Sequence, residues 1–156
     1  MECGAESLSE ALRAMKSLQK LDLHFYVVEF TKEYQDKLSA GFKGLKVLKQ
    51  LSLFLKFDQV SEGDLESFSL VFKNMKALNM LQLKFADSTR FDKKIIPILY
   101  ENLKRVSSLR RCYLEIHTKE ALEEIEKEKF ISKFGKTKVK LNYSIYKDKW
   151  PLHFHL

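Results

Sequence analysis

Four histidines, two cysteines and a group of glutamates are the residues of this chain that could do chemistry. His153 and His155 are spaced so that they could share a metal ion, but no Cys, Asp or Glu group completes a ligand set. We therefore predict no metal site. The glutamates of residues 120–128 are interpreted as the solvated face of a helix rather than as acid–base catalysts.

The motifs of phosphate, acyl-transfer and metalloprotease chemistry do not occur in the sequence. It contains no Gly-rich phosphate loop, no Gly-x-Ser-x-Gly and no His-Glu-x-x-His. Cys112 stands where leucines stand in the other repeats described below, and a free cysteine in such a place behaves as a small apolar residue. We expect a protein that is not an enzyme, with no cofactor and no small-molecule substrate.

Composition indicates one basic globular domain. The 156 residues are 45% hydrophobic and 31% charged, with a formal net charge of +7. A charge of this sign favours an acidic partner surface, and nucleic acid, an anionic membrane and an acidic protein all remain open.

Cysteine usage and hydropathy bear on the compartment. Cys3 and Cys112 form neither a disulfide framework nor a Cys-x-x-Cys metal spacing. Residues 1–6 lack the features of a signal peptide, and no run approaches the roughly 18 apolar residues of a membrane span. We expect an intracellular, reducing compartment, either cytoplasm or nucleus, rather than secretion, and no membrane span.

An apolar frame recurs in the chain about every 30 residues. In each copy, gaps of four, three and three residues follow one face of an α-helix, and the next gap of two follows one face of a strand. Each copy therefore predicts a helix that leads into a strand. The four copies are Leu8, Leu12, Met15, Leu18, Leu21, Leu23; Leu38, Phe42, Leu45, Leu48, Leu51, Leu53; Phe68, Phe72, Met75, Leu78, Leu81, Leu83; and Leu99, Leu103, Val106, Leu109, Cys112, Leu114.

A fifth, shortened copy and the helix starts complete the predicted organisation. The fifth copy has Phe130 and Phe134 in the helical frame, followed by an alternating strand. Ser7 with Glu10 is interpreted as a capping box, and Thr31 as an N-cap. We predict one domain, residues 1–156, with units at about 7–30, 31–60, 61–90, 91–117 and 118–146 and a tail or cap at 147–156.

The Leu-x-x-Leu-x-Leu sequences at 18–23, 48–53 and 78–83 resemble leucine-rich repeats of the ribonuclease-inhibitor-like kind. The resemblance covers about residues 7–146. It implies an α/β solenoid, a short horseshoe of about five helix–strand units with a parallel sheet on its concave face. The chain departs from the family where an Asn or Cys ladder is usual, because those positions hold Tyr26, Lys56, Ala86 and His117.

The resemblance also implies a binding surface, because the strands of such solenoids line the concave side. We predict that a protein partner docks there and that the chain is a non-catalytic interaction or scaffold module, suited to a subunit of a larger assembly. The competing interpretation is that these side chains merely shield the sheet. The predicted surface comprises Lys20, Asp22, His24, Gln50, Ser52, Phe54, Lys56, Met80, Gln82, Lys84, Arg111, Tyr113, Glu115 and His117.

The C-terminal unit is strongly basic and has two interpretations. The favoured one is a charged edge that discourages strand-to-strand aggregation. The alternative is a patch that grips phosphates and, with the concave lysines, binds RNA or a ribonucleoprotein. The basic residues concerned are Lys133, Lys136, Lys138, Lys140, Lys147 and Lys149.

The two ends of the repeat array are expected to differ from its middle. The first unit has no unit before it in this sequence, so we expect its helix and the strand at 21–25 to be partly bare. Residues 150–156 alternate apolar residues with histidines, and we expect them to fold back over the last repeat.

Overall fold

The computed structural model describes residues 3–29, 31–59, 68–86, 95–118 and 138–145. Helices and strands alternate along most of this length; Phe68 and Ser69 are α-helical, and a short 3₁₀ helix, η1, follows them directly. In chain order the elements are α1 (Cys3–Ala14), β1 (Lys20–Glu29), α2 (Lys32–Phe42), β2 (Gln50–Gln59), η1 (Leu70–Asn74), β3 (Met80–Ala86), α3 (Ile95–Leu103), β4 (Arg111–Thr118) and β5 (Lys138–Ile145).

The five strands form one parallel sheet in the order β1-β2-β3-β4-β5. Equivalent frame positions pair across the whole sheet, from Leu21 through Leu51, Leu81 and Cys112 to Val139. A parallel neighbour requires a crossover connection, and the described parts of the connections between β1 and β4 contain α2, η1 and α3. The predicted α/β class, a parallel sheet with helices between its strands, is confirmed.

The core consists of the apolar frame of the second, third and fourth copies. All eighteen of these frame positions are buried, with exposures between 0% and 5%. Aromatic rings link the second and third copies, since the centroids of Phe42 and Phe68 lie 6.5 Å apart and those of Phe68 and Phe72 lie 5.5 Å apart. The same frame therefore builds one continuous hydrophobic cluster.

The first copy is less buried than the second, third and fourth copies, as the repeat pattern led us to expect. Leu12 is buried, but Leu21 and Leu23 are only partly buried. The assignment of Met15 to the core is wrong, because its side chain is 45% exposed whereas the equivalent Leu45 is 1% exposed. In the described part of the chain, only the second unit packs against the first, so the far side of its frame stays open to solvent.

Backbone hydrogen bonds hold the units in register at the start of each strand. The carbonyl of Gln19, the residue before β1, accepts from the N–H groups of Lys49 and Gln50 at 2.8 and 3.0 Å. The carbonyls of Lys49 and Asn79 repeat this arrangement with the units that follow them. The turns that lead into the strands are therefore fixed side by side.

Two glycines allow α2 to approach α1 closely. A Cβ on Gly41 would lie 3.0 Å from the Cα of Ser9, and a Cβ on Gly44 would lie 3.0 Å from the Cα of Arg13. Both distances are shorter than ordinary van der Waals contact. The absence of a side chain at these positions lets the two units pack backbone against backbone.

The predicted start of α2 agrees with the structure, and the predicted start of α1 does not. Thr31 is the N-cap of α2, and its Oγ1 accepts a hydrogen bond from the Tyr34 N–H at 3.3 Å. The capping box at Ser7 and Glu10 is wrong, because α1 already begins at Cys3. Buried Ala5 extends the apolar face of α1 towards its N-terminus, so the helix continues past Ser7.

A buried polar pair joins the third and fourth units. The Asn102 Nδ2 donates to the Ser69 Oγ at 2.6 Å, and both side chains are buried. Nearby, the Ser108 hydroxyl donates to the Leu78 carbonyl at 2.7 Å. Hydrogen bonds of this kind satisfy polar groups that would otherwise be costly to bury.

None of the helices within the described ranges has the length and apolar character that a membrane crossing needs.

Candidate protein-interaction surface

One face of the sheet carries the residues that alternate with the buried frame. Because side chains alternate across a strand, burial of the frame forces these residues to the opposite side. None of those whose side chains are described is buried. We call this surface the sheet face, and its described side chains are Lys20, Asp22, His24, Tyr26, Gln50, Ser52, Phe54, Lys56, Met80, Gln82, Lys84, Arg111, Tyr113 and Glu115.

A row of contacting side chains crosses four strands of the sheet face. His24 stacks on Phe54 with ring centroids 5.3 Å apart, and the Lys84 Nζ lies over the same Phe54 ring at 5.5 Å. The Lys84 Nζ also pairs with the Glu115 Oε1 at 2.8 Å. The four residues occupy one register row, so the repeat brings them together from units far apart in sequence. We call them the central row.

Further polar contacts flank the central row. The His24 Nε2 lies 3.4 Å from the Asp22 Oδ1, and the Lys56 Nζ lies 5.3 Å from the centroid of the Tyr26 ring. Pairs as exposed as these contribute at most about 1 kcal/mol each to stability. Their main effect is to orient large side chains on the sheet face.

Two tyrosines are exposed on the sheet face. Tyr26 is 65% exposed and Tyr113 is 38% exposed. Tyrosine rings supply large contact areas at low entropic cost and are enriched in the cores of protein interfaces. Arg111 and Met80, which are also types enriched there, are neighbours in the register of β3 and β4.

Titratable groups of the described residues do not form a metal centre. No three His, Cys, Asp or Glu side chains converge in the described ranges. Cys112 is a free thiol in the core, and burial raises its pKa to about 12. It therefore remains a protonated, apolar core residue at neutral pH.

The structure describes only some of the predicted basic and C-terminal residues. Lys138 and Lys140 lie in β5, where their backbones pair with Arg111 and Tyr113. His117 pairs with Ser144 in the same two strands. The remaining predicted positions lie outside the described residues: Lys133, Lys136, Lys147, Lys149, the glutamates of 120–128, His153, His155 and the tail 147–156.

One member of the sheet face, Tyr26, was not predicted from the sequence, where it stood out only as a departure from an Asn ladder. Tyr26 is the next residue in the alternation Lys20, Asp22, His24, and it pairs in register with Lys56. One further step of the same alternation would have found it.

Comparison with known proteins finds a similarity among solved structures. No protein-family model matches the chain, and no curated protein matches it. Among solved structures, the chain is similar to "Leiomodin-1 Actin-Binding Site 2 (ABS2)" with a TM-score of 0.60 and 13% sequence identity. The match covers 88% of this chain and 78% of that one. At this identity, the similarity shows a shared fold alone.

Proposed function

We propose that this chain is a non-catalytic interaction module of the leucine-rich-repeat type and that a protein partner docks on the sheet face. The observation that carries the proposal is the central row with its exposed flanking tyrosines, which places large side chains from consecutive units on one open surface. Interfaces of this kind gain most of their affinity from a few such side chains.

The fold supports the leucine-rich-repeat part of the proposal. Sequential parallel strands, repeated helix-to-strand turns and a shared leucine frame are the features expected of a short solenoid of this type. The similar leiomodin-1 structure is an actin-binding site, so a related fold serves a protein-interaction role there. Actin is therefore a defined first partner to test.

The charged contacts of the sheet face support a binding role. The carboxylate of Asp22 lies beside the His24 imidazole, and that of Glu115 lies beside the Lys84 ammonium group. On the same face Lys84 is engaged with Phe54 and Glu115. A site that orients side chains through mutual contacts is preorganised for docking.

The proposal places the module inside the cell, within a larger assembly.

The alternative of RNA binding through the lysines of the sheet face is less well supported. Lys84 is paired with Glu115, and Lys56 lies over the Tyr26 ring. A lysine held by a carboxylate must give up that contact before it binds a phosphate. We therefore favour a protein partner for this face.

The test compares two pairs of substitutions at exposed positions. Tyr26→Ala with Tyr113→Ala removes the exposed aromatics of the sheet face, and Val47→Ala with Leu70→Ala removes exposed apolar side chains that are not part of it. The wild type and both variants are used for affinity capture from the native source and for co-sedimentation with filamentous actin. Circular dichroism checks that each variant is folded.

The proposal expects a stoichiometric protein partner that the tyrosine variant binds at least about tenfold more weakly, which corresponds to a loss of about 1.4 kcal/mol. The control variant retains the partner. Equal binding by both variants, or the absence of any captured protein that depends on Tyr26 and Tyr113, would rule out docking on the sheet face. If the wild type pellets with filamentous actin and the tyrosine variant does not, actin is identified as the partner.

A further inference from the structure

The turns that lead from the helices into strands β1–β4 form a second charged surface. Together with the last two residues of α1 and of η1, they comprise residues 13–19, 43–49, 73–79 and 104–110, and these segments contain no Asp and no Glu. Ten of the 28 Lys and Arg residues of the chain fall in them. We call these ten residues the basic edge: Arg13, Lys16, Lys43, Lys46, Lys49, Lys73, Lys76, Lys104, Arg105 and Arg110.

The four turns lie side by side, so their cations form rows. The carbonyls of Gln19, Lys49 and Asn79 each accept one N–H from the last residue of the next turn and one from the first residue of the strand that follows it. Gly44 packs against the backbone of Arg13. The turns also repeat the same internal hydrogen bonds between equivalent backbone groups. Since paired strands are about 4.8 Å apart, the backbones of equivalent turn residues, which carry these cations, lie at about that spacing.

The cations of the basic edge are available to a partner. All ten side chains are exposed, and nine of them form no ion pair within the part of the chain that the structure describes. The exception is Lys104, which pairs with Glu101. The rest of the described protein therefore leaves most of this positive charge uncompensated.

Helix ends explain only part of the basic edge. Cations are favourable at a helix C-terminus because they lie near its unsatisfied carbonyls. This preference accounts for Arg13 in the last turn of α1 and for Lys73 in η1. It does not account for Lys16, Lys46 and Lys76, which lie beyond the helices at equivalent places in three turns.

The composition of the four turns selects among anionic partners. They contain no aromatic residue, and their exposed large apolar side chains are Met15 and Val47. Protein interfaces are depleted in Lys and enriched in aromatics, and membrane-surface helices present Trp, Phe or Leu. Interfaces with nucleic acid are much more positive. A nucleic-acid duplex complements the charge of such a surface, because it carries one negative charge per about 1.7 Å of its axis.

We propose that the basic edge binds the phosphate backbone of a nucleic-acid duplex, on a surface distinct from the sheet face. Without aromatic side chains for stacking, the contacts are made to phosphates, so the binding depends little on base sequence. The protein then has two faces, one for a protein partner and one for a polyanion.

The experiment measures the fluorescence anisotropy of a fluorescein-labelled DNA duplex of about 20 base pairs over a range of salt concentrations. The edge variant is Lys16→Gln, Lys46→Gln, Lys76→Gln. The control is Lys32→Gln, Lys93→Gln, Lys94→Gln, which removes the same charge from positions outside both the basic edge and the sheet face. Each lost phosphate contact reduces the slope of log K against log salt by about 0.9, so the edge variant lowers its magnitude by about 3 at most. The control leaves the slope unchanged.

Three results would overturn the proposal. They are no binding of the duplex at low salt, an equal loss in the edge and control variants, and binding to phosphatidylserine vesicles in place of the duplex. The tyrosine variant of the sheet face retains duplex binding. Failure of this proposal and failure of the proposed function are therefore separate outcomes.

Discussion

At the scale of single residues, position in the repeat decides whether a reactive group remains reactive. Cys112 pairs in register with Leu81 of β3, and its side chain is fully buried. Desolvation of the thiolate raises the pKa of its thiol to about 12. The sequence predicted this role, because the cysteine falls at a frame position that is leucine in the first three copies.

We expect Cys112 to resist alkylation in the folded protein. In a Cys3→Ser variant at pH 8, labelling by iodoacetamide should require unfolding, because only the thiolate reacts. As the pH rises from about 9 towards 12, an unfolded thiol ionises while the folded thiol does not, so this group lowers the free energy of unfolding in that range. Labelling of the native protein at the rate of a free thiol would contradict the burial.

The buried pair of Ser69 and Asn102 gives a second prediction. Ser69→Ala removes the acceptor at 2.6 Å and leaves a buried amide with one partner fewer. The expected loss in the free energy of unfolding is about 1–2 kcal/mol, measured by urea denaturation. Ser107→Ala, at an exposed position, is the control and should change stability by less than about 0.5 kcal/mol. Equal effects would show that the hydrogen bond does not contribute.

Sequence reasoning placed the side chains of the sheet face but not their contacts. Strand alternation alone puts His24 opposite Leu23, and equal gaps between repeats put it beside Phe54. The stacking of the two rings depends on side-chain rotamers, which periodicity does not specify. The central row was therefore visible only in the structure.

At the scale of elements, close packing between α1 and α2 depends on Gly41. Gly41→Ala places a Cβ 3.0 Å from the Cα of Ser9, and a backbone atom cannot move aside easily. We expect a net loss of about 1–3 kcal/mol in the free energy of unfolding, despite the higher helix propensity of alanine.

The matched control is Gly4→Ala in α1, where a Cβ meets nothing within 4 Å. Here the propensity gain should dominate and raise stability by up to about 1 kcal/mol. Thermal denaturation of both variants is the measurement. A Gly41→Ala protein as stable as the Gly4→Ala protein would show that the two helices can separate at little cost.

Element types were less predictable than the positions of core residues. The spacing of Phe68, Phe72 and Met75 suited an α-helix; Phe68 and Ser69 are α-helical, but residues 70–74 form a 3₁₀ helix. A gap of three residues lies on one face of either helix, so Phe72 and Met75 are buried in both cases. Apolar spacing therefore fixed which side chains enter the core without fixing the type of helix.

At the scale of the whole molecule, equivalent leucines differ in burial because the first unit has one described neighbour and the second has two. Leu53 is 1% exposed, and its register partner Leu23 is only partly buried. We expect Leu53→Ala to cost about 2–5 kcal/mol, and Leu23→Ala distinctly less. Denaturant titration of the two variants compares them directly, and equal costs would mean that the first unit is as well packed as the second.

The sequential order of the sheet also bears on how the chain folds. Within the described sheet, each strand bonds only to the strands of adjacent units, so strand pairing joins residues about 30 positions apart rather than the two ends of the chain. Stability in such a linear array is close to a sum of nearest-neighbour terms. Amide hydrogen exchange should accordingly be slowest in β2 and β3 and faster in β1, which opens from the end without unfolding the rest.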